Sequence, residues 1–231
     1  MIISSIQRAP LTLWGEAMTD VLTTPAPAAD FTARHATRLS AAALGLAGLA
    51  FAAYPMLRGS GSEAGMSGAE LYARPAWLFA HVLGMVGFVA AGWGLGAVDR
   101  AAGRWAVAGA VLVLPFYGAE AYGLHALGRR AVETGDGSMV AAADMFRYEP
   151  VAVTTFTVGL LLVAAAGVRL LTRARRGHGG QRAGLLLTGL ALVTYVPQFF
   201  GPIEGRIAHG VLLGAGLIAL AGSVLTGRAR A

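Results

Sequence analysis

Residues 76–98 read AWLFAHVLGMVGFVAAGWGLGAV and are followed at once by Asp99 and Arg100. That is 23 residues without an Asp, Glu, Lys or Arg. A bilayer core about 30 Å thick needs about 20 mostly apolar residues in helical form. The stretch is therefore long enough to cross a membrane, and the charged pair behind it marks where it leaves. Five more stretches of the same kind lie around it, at 38–57, 105–127, 150–171, 183–200 and 206–226. Breakers stand at their edges: Arg58 and Gly59 after the first, Pro150 opening the fourth, Gly201 and Pro202 closing the fifth.

Composition carries the same reading to the whole chain. Hydrophobic residues make up 56%, charged residues only 13%, and the mean hydropathy is +0.62, outside the usual balance of a soluble domain. The 33 glycines would weaken soluble helices but suit membrane helices, which pack closely through small residues. The fold class expected is all-α: a polytopic integral membrane protein built as a bundle of about six transmembrane helices. No lysine and no cysteine occurs, which excludes lysine Schiff bases, disulfides, thiolate ligands and cysteine nucleophiles.

The basic residues are thus 18 arginines, and their distribution gives an orientation. With the N-terminus inside, the inner segments hold Arg8, Arg34, Arg38, Arg100, Arg104, Arg169, Arg173, Arg175, Arg176, Arg182, Arg228 and Arg230. The outer segments hold Arg58, Arg74, Arg129, Arg130, Arg147 and Arg206, a split of 12 to 6. The positive-inside rule then puts both termini in the cytoplasm and the chain in the cell membrane. The net charge of +6 is a topology signal, assisted by anionic lipid, and not a nucleic-acid surface.

Three segments result: a disordered cytoplasmic tail at 1–35, a transmembrane domain at 36–227 and a short cytoplasmic tail at 228–231. The Pro- and Ala-rich run TTPAPAAD at 23–30 cannot bury a core. Met18 is as good a start as Met1. The first apolar stretch has the outline of a signal peptide, although it runs on to Met56 and is long enough to span. The second long outer loop, 128–149, has a short helical pattern from Ser138 to Phe146. No internal repeat is evident, so the inverted-repeat pattern of many transporters is missing.

Polar residues inside the apolar stretches gather at one depth, near the outer face. They are His81 on the second helix; Tyr117, Glu120, Tyr122 and His125 on the third; Tyr195 and Gln198 on the fifth; Glu204, Arg206 and His209 on the sixth. The inner halves are nearly all Ala, Val, Leu and Gly. A glutamate within the bilayer costs about 2–3 kcal/mol or more unless paired, protonated or hydrated. Glu120 is expected to face the bundle interior, either as a proton donor or in an ion pair with Arg206. On an ideal helix Glu120 and His125 point about 140° apart, and Pro115 offers a kink that changes this. Of the aromatics at this level, Trp77, Phe79, Phe116, Tyr117, Tyr122, Tyr195, Phe199 and Phe200, two or three line a pocket and the rest form the interfacial belt.

Four readings follow from that layer. In the first, His81, His125 and His209 hold a metal ion or haem in a membrane-embedded enzyme or redox protein. In the second, a cofactor-free enzyme acts on a lipid or isoprenoid, as a terpene cyclase does, with Glu120 as general acid among Tyr117 and Tyr195. In the third, a carrier binds a proton or small solute at Glu120, Tyr195 and Gln198. In the fourth, the chain is a structural membrane subunit. Tyr122, Gln198, Glu204 and Arg206 are the expected substrate contacts, the ligand is small and apolar or amphiphilic, and membrane lipids are the surrounding partners. No GxxxxGK[ST], HExxH or GxSxG motif is present.

Overall fold

The computed structural model describes residues 27–227, with side chains from Phe31 onward. Within them the chain is helical, and no strand occurs among the described residues. The long helices are α1 (Pro27–Arg58), α3 (Pro75–Val98), α4 (Arg100–Gly118), α7 (Pro150–Ala174), α8 (Gly179–Val193) and α9 (Ile203–Leu225). Shorter ones are α2 (Gly65–Ala73), α5 (Leu124–Thr134) and α6 (Ala142–Arg147). A π turn at Ala119–Gly123 joins α4 to α5, and 3₁₀ turns occupy Gly137–Ala141 and Pro197–Phe200. The expectations for the tail before residue 27 and for its start lie outside the described residues. The part of that tail from 27 onward is helical, with Phe31 stacked on His35 at 6.2 Å.

The boundaries have local causes. Pro75 and Pro150 open α3's and α7's first turns, where the missing N–H costs nothing. Asp99 ends α3 and caps α4, its Oδ1 accepting from the N–H groups of Ala101 and Ala102 at 3.0 Å. Glu149 caps α7 through Ala152 N–H at 2.8 Å. Gly135, with φ of 70°, closes α5 in the left-handed conformation that glycine adopts without strain.

Five helical segments are long and apolar enough to cross a membrane: Phe31–Arg58, Pro75–Val98, Arg100–Thr134, Pro150–Ala174 and Ile203–Leu225. The stretch expected at 183–200 differs, because its helix stops at Val193 and resumes only as a 3₁₀ turn from Pro197. Pro197 is the reason: its ring would clash with the carbonyl of Val193, four residues back, and it offers no N–H. The third expected stretch, 105–127, is instead one run from Arg100 to Thr134 with the π turn inside it.

In the bundle α3 packs on α4, α4 on α7, α7 on α8 and α8 on α9. On the far side α1 meets α9 and α3, with Phe51 edge-on to Phe88 at 5.1 Å. Glycine permits the tightest crossings. A Cβ on Gly109 would lie 2.6 Å from the Gly159 carbonyl oxygen, and one on Gly214 would lie 2.6 Å from that of Gly48, so no larger residue fits without moving a helix. Leu49, Val111, Leu161 and Leu190 point outward and stay exposed, as suits helices whose outer faces meet lipid.

One end of the bundle is capped. Helices α2 and α5 and the turn at Gly137–Ala141 pack together over a small core of Ala69, Leu71, Tyr72, Trp77, Leu124 and Val140. This cap carries Arg147, at the end of α6, over the π turn. At the opposite end Arg169 grips Asp99, with Nη2 3.0 Å from Oδ2.

Candidate functional site: a charged cavity at the capped end

The site starts with Pro115. It lies inside α4 and has no N–H to give the turn before it. Four residues on, the helix widens into the π turn, where Leu124 N–H reaches back five residues to the Ala119 carbonyl. Such insertions free backbone groups and often sit at functional positions. Here the Glu120 carbonyl accepts from the indole N–H of Trp77 at 2.8 Å.

Glu120, only 5% exposed, is held by an arginine from the cap. Arg147 donates from Nε to Oε1 at 2.6 Å and from Nη2 to Oε2 at 2.8 Å, a fork-to-fork pair with both carboxylate oxygens occupied. Arg147 also lies 2.9 Å from Glu63, which pairs with Arg58. Tyr72 donates to Glu63 Oε2 at 3.1 Å, and Arg58 lies over the Trp77 ring at 4.7 Å. Two glutamates and two arginines thus neutralise one another. Burial works to raise the Glu63 carboxyl, but Arg58 and Arg147 outweigh it and hold it below its ordinary range. Burial likewise opposes the charge on Arg147, and the Glu120 carboxylate outweighs it, so the guanidinium is stabilised. Burial pushes the Tyr72 phenol up.

Beside this network lies a cavity of about 430 Å³. Its apolar wall is Phe116, Tyr117, Val153, Phe156, Phe199 and Ile203, and its polar rim is formed by the network, His81, Gln198 and Arg206. Arg206 donates to the carbonyls of Gly201 at 3.1 Å and Phe199 at 2.6 Å, and no carboxylate among the described residues pairs with it. Below, Tyr117 and Tyr195 share a hydrogen bond at 3.1 Å, and Phe88 packs edge-on against Tyr195 at 5.3 Å. Gly84 makes room for this floor, since a Cβ there would lie 2.6 Å from Tyr117 Cε1.

The expected residues are distributed around this geometry unevenly. Glu120, Tyr117, His81, Gln198 and Arg206 line the cavity, while Tyr195 lies beneath it. Tyr122, 60% exposed, borders a shallow groove on another side of the run with His125. Glu204 is exposed and lines no part of the cavity. Phe116, Tyr117 and Phe199 are the aromatics of the expected layer that line the cavity, whereas Phe79 and Phe200 point outward and Trp77 is buried in the cap.

The metal-ion site expected on His81, His125 and His209 is not formed: no group of three or more potential His, Cys, Asp or Glu ligands exists among the described residues. Each of those histidines has a backbone partner instead. His81 Nδ1 donates to Trp77 O at 2.8 Å, His125 Nδ1 to Tyr72 O at 2.8 Å, and His209 Nε2 to Ala191 O at 2.9 Å. The last of these carbonyls is near the end of α8, where Pro197 stops the helix. The expected ion pair is formed by Arg147 in place of Arg206. Arg58, Glu63, Tyr72 and Arg147 are the residues that the helix-by-helix reading missed; their signal was charge adjacent to the ends of apolar stretches, in loops with no periodicity to place them. Comparison with known protein families, with curated proteins and with solved structures finds no match.

Proposed function

We propose that the chain crosses the cell membrane six times, with both termini cytoplasmic, and binds an amphiphilic ligand in the cavity at its outer, capped end. The ligand has an acyl or isoprenoid body and an anionic head. The observation that carries this reading is the pairing of an aromatic wall with Arg206, a rim cation that no carboxylate among the described residues pairs with. At about 430 Å³ the space is in the range of small-molecule sites, which are mostly apolar with a few placed polar groups. Arg58 and Arg147 are neutralised by Glu63 and Glu120, so a ligand's negative charge would meet Arg206.

Topology is supported by the grouping of arginines. Arg58, Arg147 and Arg206 border one cavity, while Asp99 gathers Arg169 and Arg173 at the other end. For the fifth crossing, at 183–200, α8 and the 3₁₀ turn from Pro197 together cover most of the segment. Binding is favoured over acid catalysis because both Glu120 oxygens accept from one guanidinium. The packed Phe51, Phe88, Tyr117 and Tyr195 beneath the cavity favour a closed site over a path through the membrane.

The test is a titration of the full chain in nanodiscs with a fluorescent fatty-acid anion and its neutral alcohol analogue. The anion is expected to bind saturably and the alcohol about tenfold more weakly, with Arg206→Gln abolishing the difference, as loss of one charged hydrogen bond implies. Absence of saturable binding by either probe, or an unchanged preference in Arg206→Gln, would refute the proposal.

A further inference from the structure

At the junction of α7 and α8, away from the capped end, lies a second cavity of about 600 Å³. Its wall includes Arg169, Arg173, Arg175, Arg176 and Gln181, with no Asp or Glu among the described residues. Asp99 lies beside it and takes Arg169 at 3.0 Å and Arg173 at 3.8 Å. Arg175 and Arg176 are exposed and have no carboxylate within ion-pair distance among the described residues.

Gln181 is the independent observation. Its side chain is part of the cavity wall, the residue is only 7% exposed, and its amide has no side-chain hydrogen bond among the described residues. Thr188 Oγ1 is the fully buried side-chain polar atom without a partner among the described residues, so the Gln181 amide is not sealed off and stays reachable from the cavity, where an acceptor can meet it. It sits in the first turn of α8, which has no side-chain cap, so the helix dipole adds to the attraction for an anion. The cavity is larger than one phosphate and reaches Leu185 in the apolar core, which suits a headgroup attached to an apolar tail.

We infer that this cavity binds the phosphate of an anionic phospholipid headgroup, with Arg175 and Arg176 pairing the charge and the Gln181 amide donating to a phosphate oxygen. The site is separate from the capped-end cavity and stands or falls without it.

The test measures lipid retention by native mass spectrometry and the melting temperature of the full chain in detergent. The additives are phosphatidylglycerol, phosphatidylcholine and inorganic phosphate. Phosphatidylglycerol is expected to be retained and to raise the melting temperature, while phosphatidylcholine and phosphate do neither. R175Q/R176Q is expected to weaken phosphatidylglycerol binding about thirtyfold, from about fivefold per arginine near an anionic surface. Gln181→Leu, which changes no charge, is expected to weaken it about fivefold through the lost hydrogen bond. Arg182→Gln, outside the cavity wall, should cost less than either.

Three results overturn the inference: equal retention of phosphatidylcholine, a Gln181→Leu variant that binds as the parent does, or losses in Arg182→Gln equal to those in R175Q/R176Q. Inorganic phosphate that displaces the lipid at millimolar concentration assigns the site to free phosphate and overturns the lipid. Should R175Q/R176Q lose its helical circular dichroism, Gln181→Leu decides alone.

Discussion

The two ends of the bundle each bury a carboxylate, but they hold it differently. Glu120 lies within a membrane-length run, on a π turn, and its partner Arg147 comes from a separate cap. Asp99 lies at the junction of two helices, where it also caps α4, and its partner Arg169 remains 49% exposed. At the capped end charges are matched within a closed network; at the other end Asp99 is shared between Arg169 and Arg173. The difference separates two uses of an ion pair. Around Glu120 the pairing fixes the wall of a cavity, and around Asp99 it joins two helices and caps one of them.

Breaking the capped-end network should have the largest effect. Arg147→Leu leaves Glu120 buried without its partner and is expected to cost about 3–5 kcal/mol of stability, read as a lower melting temperature in nanodiscs. The double variant Glu120→Leu/Arg147→Leu should recover at least half of that, because no charge is left stranded. A single variant as stable as the parent would show that the pair is solvated and the network is not closed.

Gly84→Ala comes next. The added Cβ would press on the Tyr117 ring, and overpacking of this kind costs about 1–3 kcal/mol. Weaker amphiphile binding with little loss of helicity is the expected signature, since Tyr117 lines the cavity. Asp99→Asn should cost less, about 1–2 kcal/mol, because an asparagine still caps a helix and Arg169 regains water. If Asp99→Asn proved as damaging as Arg147→Leu, the contrast between the ends would collapse.

The smallest effect is that of pH. Burial raises the Asp99 carboxyl, but Arg169 and the N–H groups of α4 outweigh it and hold it below its ordinary range, as Arg58 and Arg147 do for Glu63. A carboxyl depressed by folding adds stability that is full above its unfolded value and is lost as pH falls through the folded one. Stability should therefore be level near neutral pH and decline below about pH 4, the ordinary carboxyl value. Glu63→Gln should make that acid-side decline shallower, measured by thermal melts across the range.

Much of the helical frame was legible because apolar length and breakers are local signals. The stretches at 76–98, 150–171 and 206–226 lie within a few residues of α3, α7 and α9, and the short helical pattern after Ser138 appears as the turn at Gly137–Ala141 and α6. Pro197 was visible too, yet an apolar count across 183–200 passes over a residue that stops α8 four positions earlier. The site was less legible, for a physical reason. Depth along an apolar helix brings residues to one level, but the facing direction depends on helix phase, and the π turn alters the phase between Glu120 and His125. Arg206 was the nearest expected cation by helix depth, whereas the true partner, Arg147, sits 27 residues along the chain in a segment whose position is set by the packing of Tyr72 and Val140 in the cap.

The central claim is an outer cavity that takes an anionic amphiphile, and one measurement addresses it most directly. The chain has no cysteine, so Val153→Cys places a single thiol in the cavity wall. Intact cells would be treated with a membrane-impermeant maleimide, with and without the fatty-acid anion. The account predicts labelling from outside, slowed by the anion and not by its neutral alcohol analogue. Labelling only after permeabilisation, or a rate that the anion leaves unchanged, would contradict it.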